Sequence, residues 1–115
     1  AGGTNVDDPK VAAYRKAHLD ITGKTADYWA SANTYASMQI LEQSIEGSGS
    51  IDREVVTQYI KDNSFDTVMG TLKFENNVSE TFWSVGQWQD GVFRGLKGSN
   101  VDGAVSVRTK SGWSE

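Results

Sequence analysis

Apolar residues recur at helical spacing through the first half of the chain and then change to alternation, so the pattern predicts helices first and strands after. Asp8-Pro9 opens the first helix, because proline at the first helical position gives up no needed N–H and its φ is already helical. The spacing carries this helix to about Ile21, with Val11, Ala12, Tyr14, His18, Leu19 and Ile21 along one stripe. Gly23 is its expected stop, in the left-handed conformation that glycine tolerates. The second helix is the longest, from about Tyr28 to Glu46, capped by Thr25 or Asp27 and followed by a Gly47-Ser48-Gly49-Ser50 linker. Trp29, Ala32, Ala36, Met38, Ile40, Leu41 and Ile45 spread around more than one of its faces, which calls for neighbours on both sides. Asp52 caps a third helix; Ile51 is placed to staple onto Val56, and Val55, Val56, Tyr59 and Ile60 form the stripe.

The period changes after Asp62-Asn63-Ser64. Thr67 to Phe74 reads as a strand broken by Gly70, with Leu72 and Phe74 on one face and a backbone role for the glycine. Glu75-Asn76-Asn77 is a turn, and Phe82 to Gln89 is a second strand. Asp90-Gly91 then leads into Val92-Phe93-Arg94, one of the strongest hairpin patterns a sequence offers. From Gly95 to Trp113 the chain reads as an extended tail. A sheet this small is marginal alone and must pack on helices.

Composition narrows the chemistry. The chain has 115 residues, no cysteine, one histidine, and a net charge of −4 from 11 Lys+Arg and 15 Asp+Glu. No disulfide or thiolate site is available, and an acidic chain without a basic stripe is not a nucleic-acid grip. No apolar run approaches the roughly 20 residues of a membrane helix. The first residue is Ala1 and the only methionines are Met38 and Met69. The chain is therefore expected to be a processed product or a piece of a longer one.

No enzyme is expected. A nucleophile–base pair would have to use His18, which lies within an amphipathic helix and has no nucleophile elbow to serve. Glu42 and Glu46 share a helical face, but a solvated face accounts for them better than acid–base work. Gly47-Ser48-Gly49-Ser50 lacks the lysine of a phosphate-binding loop. With one histidine and no calcium-loop pattern, neither a metal nor a cofactor is expected.

The aromatic residues stand out instead, clustered in 28–35 and 82–93. Trp83 and Trp88 have opposite parity on a regular strand and should point to opposite faces. An exposed tryptophan can stack on a sugar, which leaves a carbohydrate-binding module open as an alternative.

The order of segments resembles one family. Tyr28-Trp29-Ala30 and Thr34-Tyr35-Ala36-Ser37-Met38-Gln39-Ile40-Leu41-Glu42-Gln43-Ser44-Ile45 come first. Gly49-Ser50-Ile51-Asp52-Arg53-Glu54, Phe65-Asp66-Thr67-Val68-Met69-Gly70-Thr71-Leu72-Lys73-Phe74 and Gln87-Trp88-Gln89-Asp90-Gly91 follow. With the lead-in Asp8 to Arg15, this resembles the C-terminal third of a type I periplasmic solute-binding protein of the branched-chain amino acid class, which serves ABC importers. The resemblance covers about residues 5–96, with 97–115 as tail, and rests on the order of segments.

The resemblance implies an α/β fold, this chain being the C-terminal segment of a two-lobed receptor that closes on a small ligand. It implies binding of amino acids or similar organic solutes, a membrane permease as partner, and a periplasmic or otherwise extracytoplasmic location. Tyr28, Trp29, Ala32 and Tyr35 are the ligand-binding candidates, at the N-terminal end of the second helix. Asn33-Thr34 stands where family members often carry glycine. An amino-acid-sensing regulatory domain of the same fold is a further alternative, and self-association of the chain through exposed apolar surface is expected.

Overall fold

The chain is mixed α and β. The computed structural model describes residues 6–27, 29–79, 85–97, 103–109 and 112. Among these, three helices come first: α1 (Pro9–Thr22), α2 (Ala30–Ser48) and α3 (Arg53–Asp62). Four short strands follow: β1 (Ser64–Thr67), β2 (Gly70–Lys73), β3 (Gly86–Gln89) and β4 (Val92–Gly95). They form two separate two-stranded antiparallel sheets, β1 with β2 and β3 with β4.

The helix boundaries follow their capping residues. The Asp8 carboxylate accepts the N–H of Lys10 at 2.8 Å to start α1. Gly23, at φ 69, ends it by donating its N–H to the Leu19 carbonyl at 2.8 Å. Asp52 caps α3 by accepting from Glu54 N and Val55 N at 3.0 and 3.1 Å. The staple expected beside this cap does not form: Ile51 is 87% exposed, so Asp52 alone sets the start of α3. α2 departs most from expectation. It begins at Ala30 rather than at Tyr28, which lies outside the described residues, and it runs through Gly47 and Ser48 to stop at Gly49, φ 65. Gly49 rather than Gly47 is the left-handed residue, so half of the expected linker is helix.

The expected strand over 67–74 is instead the end of β1, a turn and β2. Phe65 pairs with Leu72 and Thr67 with Gly70, and the chain turns at Val68-Met69. Thr67 holds the turn closed: its hydroxyl donates to the Gly70 carbonyl at 2.8 Å and accepts the Met69 N–H at 3.1 Å. Val68 and Met69 are 3% and 4% exposed, because this turn points into the core instead of into water. That inversion is why the turn reads from sequence as part of a strand broken by Gly70.

The core is small. Val11 and Tyr14 of α1, Ala26 of the α1–α2 loop, Ala32 and Ala36 of α2's inner side, and Val68, Met69 and Leu72 of the hairpin form it, with Ile40 against them. Four expected members of the α1 stripe are outside it: Ala12 is exposed, His18 half-buried, and Leu19 and Ile21 are 45% and 84% exposed. The outer face of α2 carries Met38 and Leu41, also exposed. So this helix has two apolar faces, of which the hairpin and α1 cover one.

The β3–β4 hairpin turns at Asp90-Gly91, both at positive φ (53 and 77), as the Asp-Gly pair predicts. The tail returns beside it. Leu96 bridges Val105 in parallel, and Arg94 pairs with Asp7 of the lead-in.

Gly47 lies where α2 meets α3. A Cβ at this position would overlap the ring and hydroxyl of Tyr59, whose ring packs 6.4 Å from that of Phe65. Alanine in a helix interior is ordinarily better than glycine by about 0.5–1 kcal/mol. Here Gly47→Ala is expected to lower stability by about 1 kcal/mol, because the Tyr59 ring must leave Phe65. In a Tyr59→Ala background the same change should raise it. Urea denaturation of the four variants checks the reversal, and a stabilising Gly47→Ala in the unaltered chain would refute it.

Candidate functional site

The N-terminal end of α2 is built by Asp27. Its carboxylate accepts the N–H of Trp29 at 2.7 Å and that of Ser31 at 3.3 Å through one oxygen and 3.2 Å through the other. These bonds satisfy amide groups that the first helical turn leaves without partners. The backbone hydrogen bond from Trp29, helped by those of Ser31, holds the Asp27 carboxyl below its ordinary value of 3.8. Of the two caps expected from sequence, Asp27 is the one that acts.

Tyr14 joins this end of α2 to α1. Its hydroxyl donates to Ser31 Oγ at 2.6 Å, and its ring lies 5.0 Å from that of Tyr35, tilted by 38°. On its own helix it meets His18 edge-on at 6.2 Å. The Tyr14–Tyr35 pair separates two surface grooves. One, of about 480 Å³, is lined by Tyr14, His18, Asp27, Ser31, Tyr35 and Met38, with Ala30 and Thr34. The other, of about 300 Å³, runs between the same tyrosines and Lys10, Gln39, Asp66 and Val68. Both volumes lie at or within the roughly 300–1,000 Å³ of small-molecule sites.

The sequence candidates fall differently within this frame. Tyr35 lines both grooves and is half-exposed. Trp29 is 49% exposed one residue before α2. Ala32, at 1%, is buried in the core cluster with Val11 and Tyr14. Tyr28 lies outside the described residues. Sequence reasoning missed Tyr14, Ser31 and Met38 as groove residues. The trace they left was the i, i+4 pair Tyr14–His18 and the second apolar face of α2.

The groove offers aromatic faces, a thioether and hydroxyls. Its carboxylate is engaged by backbone N–H groups. His18 Nδ1 lies 3.0 Å from the Lys24 carbonyl and 3.3 Å from the Thr22 hydroxyl, contacts local to the end of α1. Among the described residues there is no group of three His, Asp or Glu side chains fit to hold a metal. Glu42 and Glu46 are exposed on α2.

A second aromatic feature lies on the β3–β4 hairpin. Trp88, 59% exposed, faces Phe93 across the strand pair with ring centroids 5.5 Å apart and an edge-on geometry. Trp83, its expected opposite, lies outside the described residues. Among the described residues no helix is long and apolar enough to cross a membrane. No protein-family model matches the chain, and no curated protein matches its sequence.

The capping carboxylate carries a pH dependence of known sign. Its folded-state pKa is lowered, so the stability it contributes is present above its unfolded value and is lost as pH falls through the folded one. Helicity should therefore decline below about pH 4. Asp27→Asn keeps a capping oxygen without the charge, and its acid unfolding midpoint should move less steeply with pH. Circular dichroism melts between pH 2 and 6, on the order of the carboxylate range, check this; identical pH profiles for the two chains would refute it.

Proposed function

We propose that the chain is the C-terminal part of a type I solute-binding protein of the branched-chain amino acid class, serving an ABC importer from an extracytoplasmic compartment. What carries the reading is the half-exposed Tyr35, paired with Tyr14 and bordering two grooves, at the end of α2 where the resemblance puts the ligand. Trp29 stands exposed beside it. The chemistry that the groove's described residues offer, contact surface and hydroxyls, suits a binding protein. The ligand is an amino acid or a similar small organic solute, held as two lobes close over it.

The reading also gives a use to the outer face of α2. Met38 is 60% exposed and Leu41 41%, with Thr34 and Ile45 along the same side. In a two-lobed receptor the remainder of the lobe covers this face. The charged groups that hold the ligand's carboxylate and ammonium belong to that remainder, since Asp27 is engaged in capping. An amide- or amino-acid-sensing domain would use the same arrangement with a different output.

Trp88 supports a second reading, a carbohydrate-binding platform, because its indole is 59% exposed on a hairpin. Quenching of tryptophan fluorescence by sugars but not by amino acids would favour it over the first.

Calorimetry separates these cases. The complete gene product is expected to bind a branched-chain or related amino acid in the micromolar range. Tyr35→Ala should weaken that binding by about tenfold or more, about 1.4 kcal/mol. The 115-residue chain by itself should bind leucine far more weakly. No amino-acid binding by the complete product would overturn the reading, and micromolar leucine binding by this chain alone would overturn the division of the site.

Exposed apolar surface on α2 should also make the isolated chain self-associate. Sedimentation velocity should show a weight-average mass that rises with concentration. A monomer at every concentration would count against an uncovered α2 face.

A further inference from the structure

We infer that Asn77 is an acceptor for an asparagine-linked glycan. The chain has six asparagines, at positions 5, 33, 63, 76, 77 and 100, and Asn77 alone is followed two residues later by a hydroxyl, that of Ser79. The residue between them is Val78, so the tripeptide satisfies the Asn-x-Ser pattern with no proline at the middle position. Glu75 stands two positions before the acceptor, giving the longer acidic-x-Asn-x-Ser form that bacterial-type transferases require.

The structure puts this tripeptide where an enzyme can reach it. Glu75 and Val78 close a tight turn by exchanging two backbone hydrogen bonds, of 2.8 and 3.0 Å. Asn76 and Asn77 occupy its two central positions at φ 51 and 64, the positive values that asparagine tolerates best after glycine. Asn76, Asn77 and Val78 are all exposed, Val78 by 61%. The bridge lies outside the named strands, so opening this turn to a transferase parts its two backbone hydrogen bonds and no strand ladder. A sugar on Asn77 would also shield the neighbouring Val78 side chain from water.

The reaction is a glycosyl transfer from a polyprenyl-pyrophosphate-linked oligosaccharide. Asn77 Nδ2 forms a bond to the anomeric carbon as the bond from that carbon to the pyrophosphate oxygen breaks. The lipid pyrophosphate leaves with the electron pair, and one amide proton passes to a base of the transferase. Such donors work in the compartments to which the proposed function assigns the chain. To that extent the inference rests on that reading.

Incubating the purified, folded chain with a bacterial-type oligosaccharyltransferase and its lipid-linked donor tests the acceptor independently of any ligand binding. Intact mass should rise by one glycan, and peptide mapping should put it on Asn77. Asn77→Gln and Ser79→Ala should abolish the gain, Ser79→Thr should retain it, and Glu75→Ala should reduce it severalfold. An unchanged mass while a control acceptor in the same reaction is modified would overturn the inference. So would a gain that survives Asn77→Gln. Either failure would leave the solute-binding reading standing.

Discussion

Glutamine amides standing in for backbone partners hold this structure together. β1 has β2 on one side and would otherwise present open N–H and C=O groups on the other, a costly arrangement beside a core. Two residues one turn apart on α2 close that edge. Gln43 accepts the N–H of Asp66 at 3.2 Å and donates to its carbonyl at 2.9 Å. Gln39 accepts the N–H of Val68 at 2.8 Å. The hairpin is thus bound to the helix in one register, and that register points Val68, Met69 and Leu72 into the core. The same device recurs at the other hairpin, where Gln87 and Gln89 bond the backbone of Arg108 and Ser106 and hold the tail against β3.

This attachment explains the residues on the inner face of α2. A glutamine can bridge helix and strand only if the two run close, and Ala32 and Ala36 provide the small surface that close approach requires. The consequence is a core with few large side chains: two of its eight buried apolar members are these α2 alanines, and Ala26 of the preceding loop is a third. Apolar burial at roughly 25 cal/mol per Å² favours large residues, so an alanine-lined contact contributes little from area and depends on the polar bridges to fix its geometry. The larger apolar residues of α2, Met38 and Leu41, lie on its outer face instead. The helix packs its small side chains on the hairpin and leaves its larger ones exposed.

The parts of this arrangement that a sequence can reveal are those decided within a few residues. Asp8-Pro9, Gly23 and Asp52 fix helix ends by local hydrogen bonds, and Asp90-Gly91 fixes a hairpin by its φ angles, so all four were legible. The β1–β2 turn was not, because Val68 and Met69 are chosen for burial against α1 and α2, a tertiary demand that overrides the polar character of most turns. Gly47 inside α2 reads as a breaker for the same reason: its lack of a side chain serves Tyr59, twelve residues on in the chain, and not the local backbone. Gln39 and Gln43 look like ordinary surface polar residues until their strand partners are known. Around the groove, Tyr35 was legible as an aromatic beside a helix start. Tyr14 was hidden in the stripe of another helix.

The engagement of Asp27 constrains what the groove can recognise. A carboxylate that accepts N–H bonds from Trp29 and Ser31 has its charge directed at the start of α2, where the aligned peptide dipoles already favour it. Turning it toward a ligand's ammonium would give up those bonds and leave the first turn of α2 without its cap. The fixed Tyr14–Tyr35 pair and the Met38 thioether, by contrast, present polarizable surface that loses little conformational freedom on contact. In the proposed solute-binding reading, this end of α2 would therefore contact the uncharged, apolar or aromatic part of a solute. On the same reading, the charge selection that distinguishes an amino acid from a hydrocarbon would come from groups on another element.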